Sequence, residues 1–235
     1  VYPYFRFDGF TTESSVRNWK MVEMENEYIR LAIMPEIGGK VWEAFEKSMQ
    51  YPFVFTTRAV KFRDIALRGP WTTGGLEFNF GDIGHATTAS TPVDYYTRSN
   101  PDGSISCFIG ATEWASRTTW RVEIRLEPDK AYFTTRAWWY NNTPVEQELY
   151  HWVNAGFKAA EDLEFIFPGT HYIGHVGEAN TWPLDSVGRK ISFYRHNDFG
   201  SYKSYHVLGR PSGFYGGYWH QDGMGFGHTS PYYEK

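Results

Sequence analysis

The sequence predicts an all-β, antiparallel fold. Most segments are short runs rich in β-branched and aromatic residues, and many of them alternate with polar residues as half-buried strands do. Turn-forming residues separate the runs, as in NPDG at 100–103, EPDK at 127–130 and NNTP at 141–144. No segment shows the alternation of strands with amphipathic helices of roughly 10–15 residues that a parallel α/β sheet requires.

The strand signals follow one another along the chain. They cover 27–34, 51–56, 92–97, 104–110, 118–126, 131–140, 146–154 and 163–168. The one helix-like patch, 36–48, opens with two glycines that would each weaken a helix by about 1 kcal/mol, so we expect a strand with a glycine bulge there. From about residue 170 the chain is rich in Gly, His and Tyr, which indicates long loops and short strands over the same core. Residues 1–235 are thus predicted to form a single domain, with 1–20 as an N-terminal extension.

Charge and cysteine usage exclude several classes of function. The chain has 235 residues with 23 Lys and Arg against 27 Asp and Glu, a net charge of −4, so it lacks the basic surface that nucleic acid or an anionic membrane would bind. No run approaches the roughly 18 apolar residues of a membrane-spanning helix, and we expect a soluble protein. The single cysteine, Cys107, excludes an internal disulfide and a multi-cysteine metal site. No metal or cofactor is predicted.

Aromatic content is the unusual feature of the composition. The chain contains 10 Trp, 17 Tyr and 18 Phe, 19% of its residues, yet its mean hydropathy is −0.52 because polar residues are interleaved with the rings. Aromatic rings in a cleft suit the flat C–H faces of a sugar, and the polar residues among them suit its hydroxyl groups. The alternative, that the rings fill a bulky β core, is equally compatible with the composition.

Four segments together resemble a known bacterial family. They are PEIGGKVWEAFEK (35–47), GPWTTGGLEFNFG (69–81), HATTASTPVDY (85–95) and LYHWVNAGF (149–157). The family is domain of unknown function 5107, which is similar to the galactose-mutarotase-like group. The resemblance implies a large antiparallel two-sheet β-supersandwich that holds a carbohydrate on a concave face, in the cytoplasm or periplasm of a bacterium. It also implies that the last strands of such a sandwich lie beyond Lys235.

The resemblance further implies one catalytic candidate. In aldose 1-epimerases of that group, a His protonates the ring oxygen of the sugar and a Glu removes the anomeric proton. The segment NNTPVEQELYHWVN (141–154) is similar to the epimerase stretch that ends in the catalytic His, which gives His151 the role of acid. The general base is expected late in the domain, beyond Lys235. The alternative for His151 is a histidine hydrogen-bonded inside an aromatic core.

The glycine-rich block carries the strongest local pattern for a site. Its glycines allow the chain to pass close to a ligand, and a strand over 76–80 would place Glu77 and Asn79 on one face. These two side chains can bind sugar hydroxyls while Trp71 stacks beneath the ring. His85 follows at once, and an imidazole can give or take a proton near neutral pH. The alternatives are a salt-bridged strand residue for Glu77 and an ordinary loop residue for His85.

Four further residues are predicted to bind the substrate. Trp152 follows His151, and Trp219, His220 and Asp222 lie in the tail segment GGYWHQDGMGFGH at 216–228. Glycine loops that carry aromatic and titratable residues are typical of the rim of a binding cleft, and equally of hairpin turns.

Three functional hypotheses follow. The first is a carbohydrate-active domain that binds a saccharide around Glu77, His85 and His151 and transfers a proton at the anomeric carbon. The second is a non-catalytic sugar-binding or scaffolding module of a larger glycoside-processing protein with further domains. The third is glycoside hydrolysis, which needs two carboxylates roughly 5–10 Å apart, with Glu77 as one and Asp94 or Glu113 as the other.

Overall fold

The computed structural model describes residues 12–64, 70–80, 85–199 and 203–231. They form two compact units, Val1–Phe157 and Lys158–Lys235, each with its own sheets. In the described ranges every strand pairing is antiparallel and no α-helix occurs, so the predicted all-β class is confirmed. None of these residues forms a helix long and apolar enough to cross a membrane. A single domain over 1–235 stays a prediction.

The strands of the first unit build two large sheets and a small one. They are β1 (Val22–Glu25), β2 (Ile29–Met34), β3 (Lys40–Glu46), β4 (Tyr51–Pro52), β5 (Phe62–Asp64), β6 (Pro70–Thr72), β7 (Leu76–Asn79), β8 (Asp94–Ser99), β9 (Ile105–Glu113), β10 (Thr118–Leu126), β11 (Phe133–Tyr140) and β12 (Trp152–Ala155). A six-stranded sheet has the order β1-β2-β3-β7-β12, with β4 beside β3. A four-stranded sheet has the order β11-β10-β9-β8, and β5 pairs with β6.

The two large sheets pack against each other across one core. In β10 every second residue is buried, including Trp120, Val122 and Ile124, and these side chains join Leu31 and Phe78 of the six-stranded sheet. Each fully buried large apolar side chain of this kind stabilises the fold by about 1.5–3 kcal/mol. Because successive side chains of a strand point to opposite faces, each sheet also has an outer face turned away from this core.

The glycine pair before β3 forms a turn. Gly38 and Gly39 have φ values of 65° and 69°, and a Cβ atom at Gly38 would lie 2.9 Å from the Cα of Ala89. The bulge predicted for this segment occurs later, where the register between β2 and β3 shifts after Ala32 and leaves Trp42 as the extra residue. The glycines are thus required by the tight turn and the close approach of a neighbouring chain, and the bulge does not need them.

Two predicted strands are shorter than expected. The signal over 51–56 yields only β4, and the signal over 146–154 yields only β12, which begins at Trp152. Residues 146–151 are mostly exposed and outside any strand. An alternating pattern shows that a segment can be extended, but the segment becomes a strand only where a partner strand lies beside it.

The second unit has shorter strands and a separate aromatic core. Its elements are β13 (Leu163–Ile166), β14 (His171–Ile173), β15 (Ala179–Thr181), a 3-10 helix at Tyr194–His196, β16 (His206–Leu208), β17 (Phe214–Trp219) and β18 (Met224–Thr229). They form two three-stranded sheets, β13-β17-β18 and β15-β14-β16. Tyr172, Trp182 and Ile191 are buried together, with Phe167 and Tyr205 packed against them.

Candidate functional site

Strand β7 places Glu77 and Asn79 on the outer face of the six-stranded sheet. Phe78 between them belongs to the core, so its two neighbours point the other way. The Nδ2 atom of Asn79 donates a hydrogen bond of 2.9 Å to Oε1 of Glu77, and both side chains are buried. The register with β12 brings Trp152 opposite Asn79 and Asn154 opposite Glu77. The predicted common face of Glu77 and Asn79 is therefore confirmed.

His85 joins this pair from the loop that follows. Its Nδ1 atom lies 2.6 Å from Oε1 of Glu77, and the residue is only 8% exposed. The backbone N–H of Ala86 donates to Oδ1 of Asn79 at 2.7 Å, which holds the loop against the end of β7. Because a carboxylate accepts and does not donate, the hydrogen bond places the proton of the His85 ring on Nδ1 and leaves Nε2 as its second functional atom.

Lys40 lies beside Glu77 and was not anticipated from the sequence. Its Nζ atom donates to the backbone O and to Oγ1 of Thr72 at 2.7 and 2.8 Å, and it lies 3.5 Å from Oε2 of Glu77. Burial lowers the pKa of Lys40, and the nearby charge of Glu77 opposes this effect. The glycine at 75 makes the arrangement possible, since a Cβ atom there would lie 2.8 Å from Cδ of Lys40. The signal in the sequence that could have indicated a buried role for Lys40 is its place at the first position of an apolar strand.

Two half-buried tryptophans border the imidazole of His85. The ring of Trp152 meets it edge-on, with centroids 4.9 Å apart and an interplanar angle of 68°. The ring of Trp71 lies 6.0 Å away, tilted by 55°. The structure therefore brings together five of the predicted residues, namely Trp71, Glu77, Asn79, His85 and Trp152.

Two polar atoms of this cluster are buried and have no hydrogen-bond partner within the described part of the chain. They are Oε2 of Glu77, an acceptor whose close polar neighbour is the ion-pair contact with Lys40 at 3.5 Å, and Nε1 of Trp71, a donor. A buried polar group without a hydrogen bond costs about 1–3 kcal/mol, so natural proteins rarely keep one without a reason. A ligand hydroxyl group can donate to a carboxylate oxygen and accept from an indole N–H. The site therefore offers complementary atoms to a polyhydroxylated molecule.

His151 lies beside Asn79, and its predicted role as acid stays a prediction. Its ring stacks on Phe80, with centroids 4.3 Å apart, and Phe80 in turn stacks on Trp120 in the core. Its Nδ1 atom lies 2.8 Å from the backbone O of Asn79. His151 is thus an exposed histidine that stacks on the edge of the core, whereas His85 is the buried histidine that contacts Glu77.

The two carboxylates proposed as partners of Glu77 for hydrolysis lie on the four-stranded sheet, whereas Glu77 lies on the six-stranded sheet. Asp94 belongs to β8 of the other large sheet, where it lies opposite Gly110. Glu113 is 5% exposed, and its two carboxylate oxygens accept hydrogen bonds from Thr87 and Ser116. The described residues also contain no group of three or more His, Cys, Asp or Glu side chains arranged to hold a metal ion.

The three predicted residues of the tail lie in the second unit. Trp219 is only 1% exposed and donates from Nε1 to the backbone O of Lys158 at 2.9 Å, so it packs the interior of this unit and presents no ring to a ligand. His220 contacts Glu164, with 2.9 Å between Nε2 and Oε2. Asp222 accepts a hydrogen bond of 2.9 Å from Nζ of Lys158.

The fold and the site define an all-β domain with a buried polar centre, flanked by tryptophans, on one outer sheet face. The chain belongs to the family described as Domain of unknown function (DUF5107), whose model matches residues 1–235. A solved structure with the same fold is that of a TPR-domain containing protein from Parabacteroides distasonis ATCC 8503. The two are 23% identical with a TM-score of 0.88, and the match covers 98% of this chain and 39% of that one. The chain thus spans about two fifths of the length of that protein.

Proposed function

We propose that the chain binds a saccharide at the outer face of the six-stranded sheet, over the Glu77–His85 pair. The observation that carries this proposal is a cluster of buried polar side chains flanked by two half-buried tryptophans, in which the Nε1 donor of Trp71 has no hydrogen-bond partner among the described residues. Tryptophan rings offer flat apolar surfaces to the C–H faces of a sugar, and convergent polar atoms fix its orientation.

We also propose that the family belongs to the galactose-mutarotase-like group. The proposal is supported by two antiparallel sheets that share one core and by a polar site on the outer face of one of them. The glycine-rich block supports it as well, because its turn leads directly into the strand that carries Glu77.

Isothermal titration with a panel of mono- and oligosaccharides tests the binding proposal. At least one sugar should bind. Trp71→Ala should lower the affinity for that sugar about tenfold, because it removes one stacking surface and one N–H donor. The matched control is Tyr132→Ala, which removes a 53% exposed ring far along the sequence from the site and should leave the affinity unchanged. The absence of binding to every sugar, or full affinity in Trp71→Ala, would refute the proposal.

A second candidate function is proton transfer at the anomeric carbon of the bound sugar. It is favoured by one specific feature, the carboxylate of Glu77 held against Nδ1 of His85. A carboxylate in this position orients an imidazole, so that Nε2 has a fixed direction in which to deliver or remove a proton. Opening a sugar ring requires a proton on the ring oxygen and the removal of one from the anomeric hydroxyl group. In this proposal Glu77 orients His85, Nε2 of His85 delivers its proton to the ring oxygen, and a solvent water accepts the proton of the anomeric hydroxyl group.

The alternative of a non-catalytic module in a longer protein has its own support. The similar solved structure is of a TPR-domain containing protein, and this chain matches only 39% of it. The two alternatives share the sugar site and differ in turnover. Polarimetry separates them, because a protein that binds an aldose without accelerating its mutarotation is a binding module.

A further inference from the structure

The outer face of the four-stranded sheet is a second surface of the first unit, on the other side of the core from the Glu77 site. We call it the arginine face and define it by six outward-pointing residues, Tyr96, Phe108, Arg121, Arg136, Trp138 and Tyr140. They share this face because their neighbours along β9, β10 and β11, such as Ile109, Val122 and Trp139, belong to the core. Since the core separates the two outer faces, binding at one can be measured without disturbing the other.

Two rings of the arginine face, Tyr96 and Tyr140, are exposed, whereas Phe108 and Trp138 are half-buried. Tyr96 is 52% exposed and stacks on Phe108 of the neighbouring strand, with centroids 5.0 Å apart and planes 14° from parallel. Tyr140 is 43% exposed and follows Trp138 on the same face of β11. Exposed rings on a flat sheet, separated by polar residues, provide stacking surfaces without an apolar groove that could take up the side chains of a peptide.

Arg121 and Arg136 share their face with two carboxylates, those of Asp94 and Glu123. Arg121 lies opposite Trp138 in the register, and the guanidinium of Arg136 lies 4.9 Å from the centroid of the Trp138 ring. Both arginines are exposed, and neither forms an ion pair with another described residue. Glu123 lies opposite Arg136 in the register, but its carboxylate accepts a hydrogen bond from Ser106 at 2.7 Å and lies 3.9 Å from Arg98. Two free guanidinium groups therefore stand beside a tryptophan on a chain whose net charge is −4.

The backbone between the two groups of rings is uncovered. Gly110 lies opposite Arg121 on one side and Asp94 on the other, so no side chain rises between them. A Cβ atom at Gly110 would lie 2.7 Å from the backbone O of Trp120, so a larger residue there would force the strands apart. The face thus has a shallow floor at Gly110, with rings and guanidinium groups around it.

We propose that the arginine face binds an acidic polysaccharide of the polyuronate class. The sugar rings would stack on Trp138 and on the Tyr96–Phe108 pair, while Arg121 and Arg136 pair with carboxylates through the two parallel N–H donors of a guanidinium group. The planar rings favour a saccharide over an acidic peptide, and the guanidinium groups of Arg121 and Arg136, which form no ion pair with another described residue, favour a saccharide that carries carboxylates. This proposal does not rest on the function proposed for the Glu77 site.

Affinity electrophoresis of the whole chain in gels that contain polygalacturonate tests the proposal, with neutral galactan and polyglutamate gels as comparisons. The chain should be retarded by polygalacturonate and much less by the other two polymers, and added salt should weaken the retardation. Arg121→Gln, Arg136→Gln and Trp138→Ala should each reduce the affinity by about tenfold or more, since each removes a charge-assisted or stacking contact.

The matched control is Arg125→Gln. Arg125 is on the same strand and the same outer face as Arg121, but its guanidinium is already paired with Asp102 and Glu127. Its loss should leave the retardation unchanged, and circular dichroism checks that every variant is folded. The proposal is overturned if polygalacturonate does not retard the chain, if polyglutamate retards it equally, or if Trp138→Ala keeps full affinity. Trp71→Ala, which weakens the site on the other sheet, should not affect this binding.

Discussion

His85 and Glu77 are eight residues apart in the chain and share a hydrogen bond, with 2.6 Å between Nδ1 of the imidazole and Oε1 of the carboxylate. Asn79 donates to the same oxygen at 2.9 Å, so the carboxylate is fixed by two partners. Because the carboxylate of Glu77 is held in one rotamer, its hydrogen bond also holds the imidazole of His85 in one orientation. The free edge of the ring, with Nε2, then has a defined position between Trp71 and Trp152.

The first prediction separates the two histidines considered for catalysis. If the domain accelerates the mutarotation of an aldose, His85→Asn should reduce the acceleration by about 10²- to 10⁴-fold, the usual contribution of a general acid or base. His151→Ala should have a much smaller effect, because this ring stacks on Phe80. Polarimetry on both variants provides the measurement. A greater loss in His151→Ala than in His85→Asn would return the role of acid to His151.

The site could be predicted from the sequence only as far as local patterns reach. The alternation in the block around Glu77 correctly placed this residue and Asn79 on one face. His85 followed closely enough in the chain for its contact to be expected. Lys40 could not be found in this way, because its contact with Glu77 depends on the pairing of β3 with β7 across a long stretch of sequence. For His151 the role of acid stays a prediction, because the similarity to a motif carries no information about which face of a sheet the side chain takes.

The second prediction concerns the buried ion pair of Lys40 and Glu77. Lys40→Met should destabilise the fold by about 3–5 kcal/mol, because it leaves a buried carboxylate without its counterion and Thr72 without its donor. Combining it with Glu77→Gln should cost less than the sum of the two single variants, because the second change removes the uncompensated charge. Urea denaturation of the four proteins gives the coupling free energy.

A partly exposed lysine provides the control for this pair. Lys47 pairs with Glu25, and their side chains are 33% and 54% exposed, so Lys47→Met should change the free energy of unfolding by less than about 1 kcal/mol. Strict additivity of the Lys40 and Glu77 variants would show that the two side chains do not interact energetically at their separation of 3.5 Å.

The fold itself was predictable in class but not in extent. Alternation identified β10 over its full observed length, Thr118–Leu126, because one face of this strand packs in the core and the other meets solvent. The same signal overestimated the segment that ends in β12, where the residues before Trp152 find no partner strand. Pairing partners and the two separate cores depend on contacts between distant parts of the chain, which composition and periodicity do not encode.

The third prediction concerns Cys107, which faces the core from β9. It is fully buried, and burial raises the pKa of its thiol to about 12. Because the thiolate is the reactive form, the native protein should react very slowly with a disulfide reagent such as DTNB at pH 8, and rapidly once it is unfolded in guanidinium chloride. Free cysteine under the same conditions is the control for the reagent. Fast labelling of the folded chain would mean that the core between the two large sheets opens readily.

The last prediction is a pH dependence of the second unit. Burial raises the pKa of Tyr205, whose hydroxyl group donates to Oδ1 of Asn197, above the ordinary value of 10.0. In the unfolded chain this phenol ionises near pH 10, whereas in the folded chain it stays protonated, so the unfolded state binds fewer protons above that pH. The stability that the neutral phenol provides is therefore fully present below pH 10 and is lost as the pH rises through the folded pKa. Each such tyrosine contributes a slope of at most about 1.4 kcal/mol per pH unit.

Urea denaturation between pH 8 and 11 should show this decline in the free energy of unfolding. Tyr205→Phe should have a shallower decline, whereas Tyr132→Phe, at an exposed ring, should follow the unmodified protein. An unchanged slope in Tyr205→Phe would show that its hydroxyl group ionises equally easily in the folded and unfolded chain.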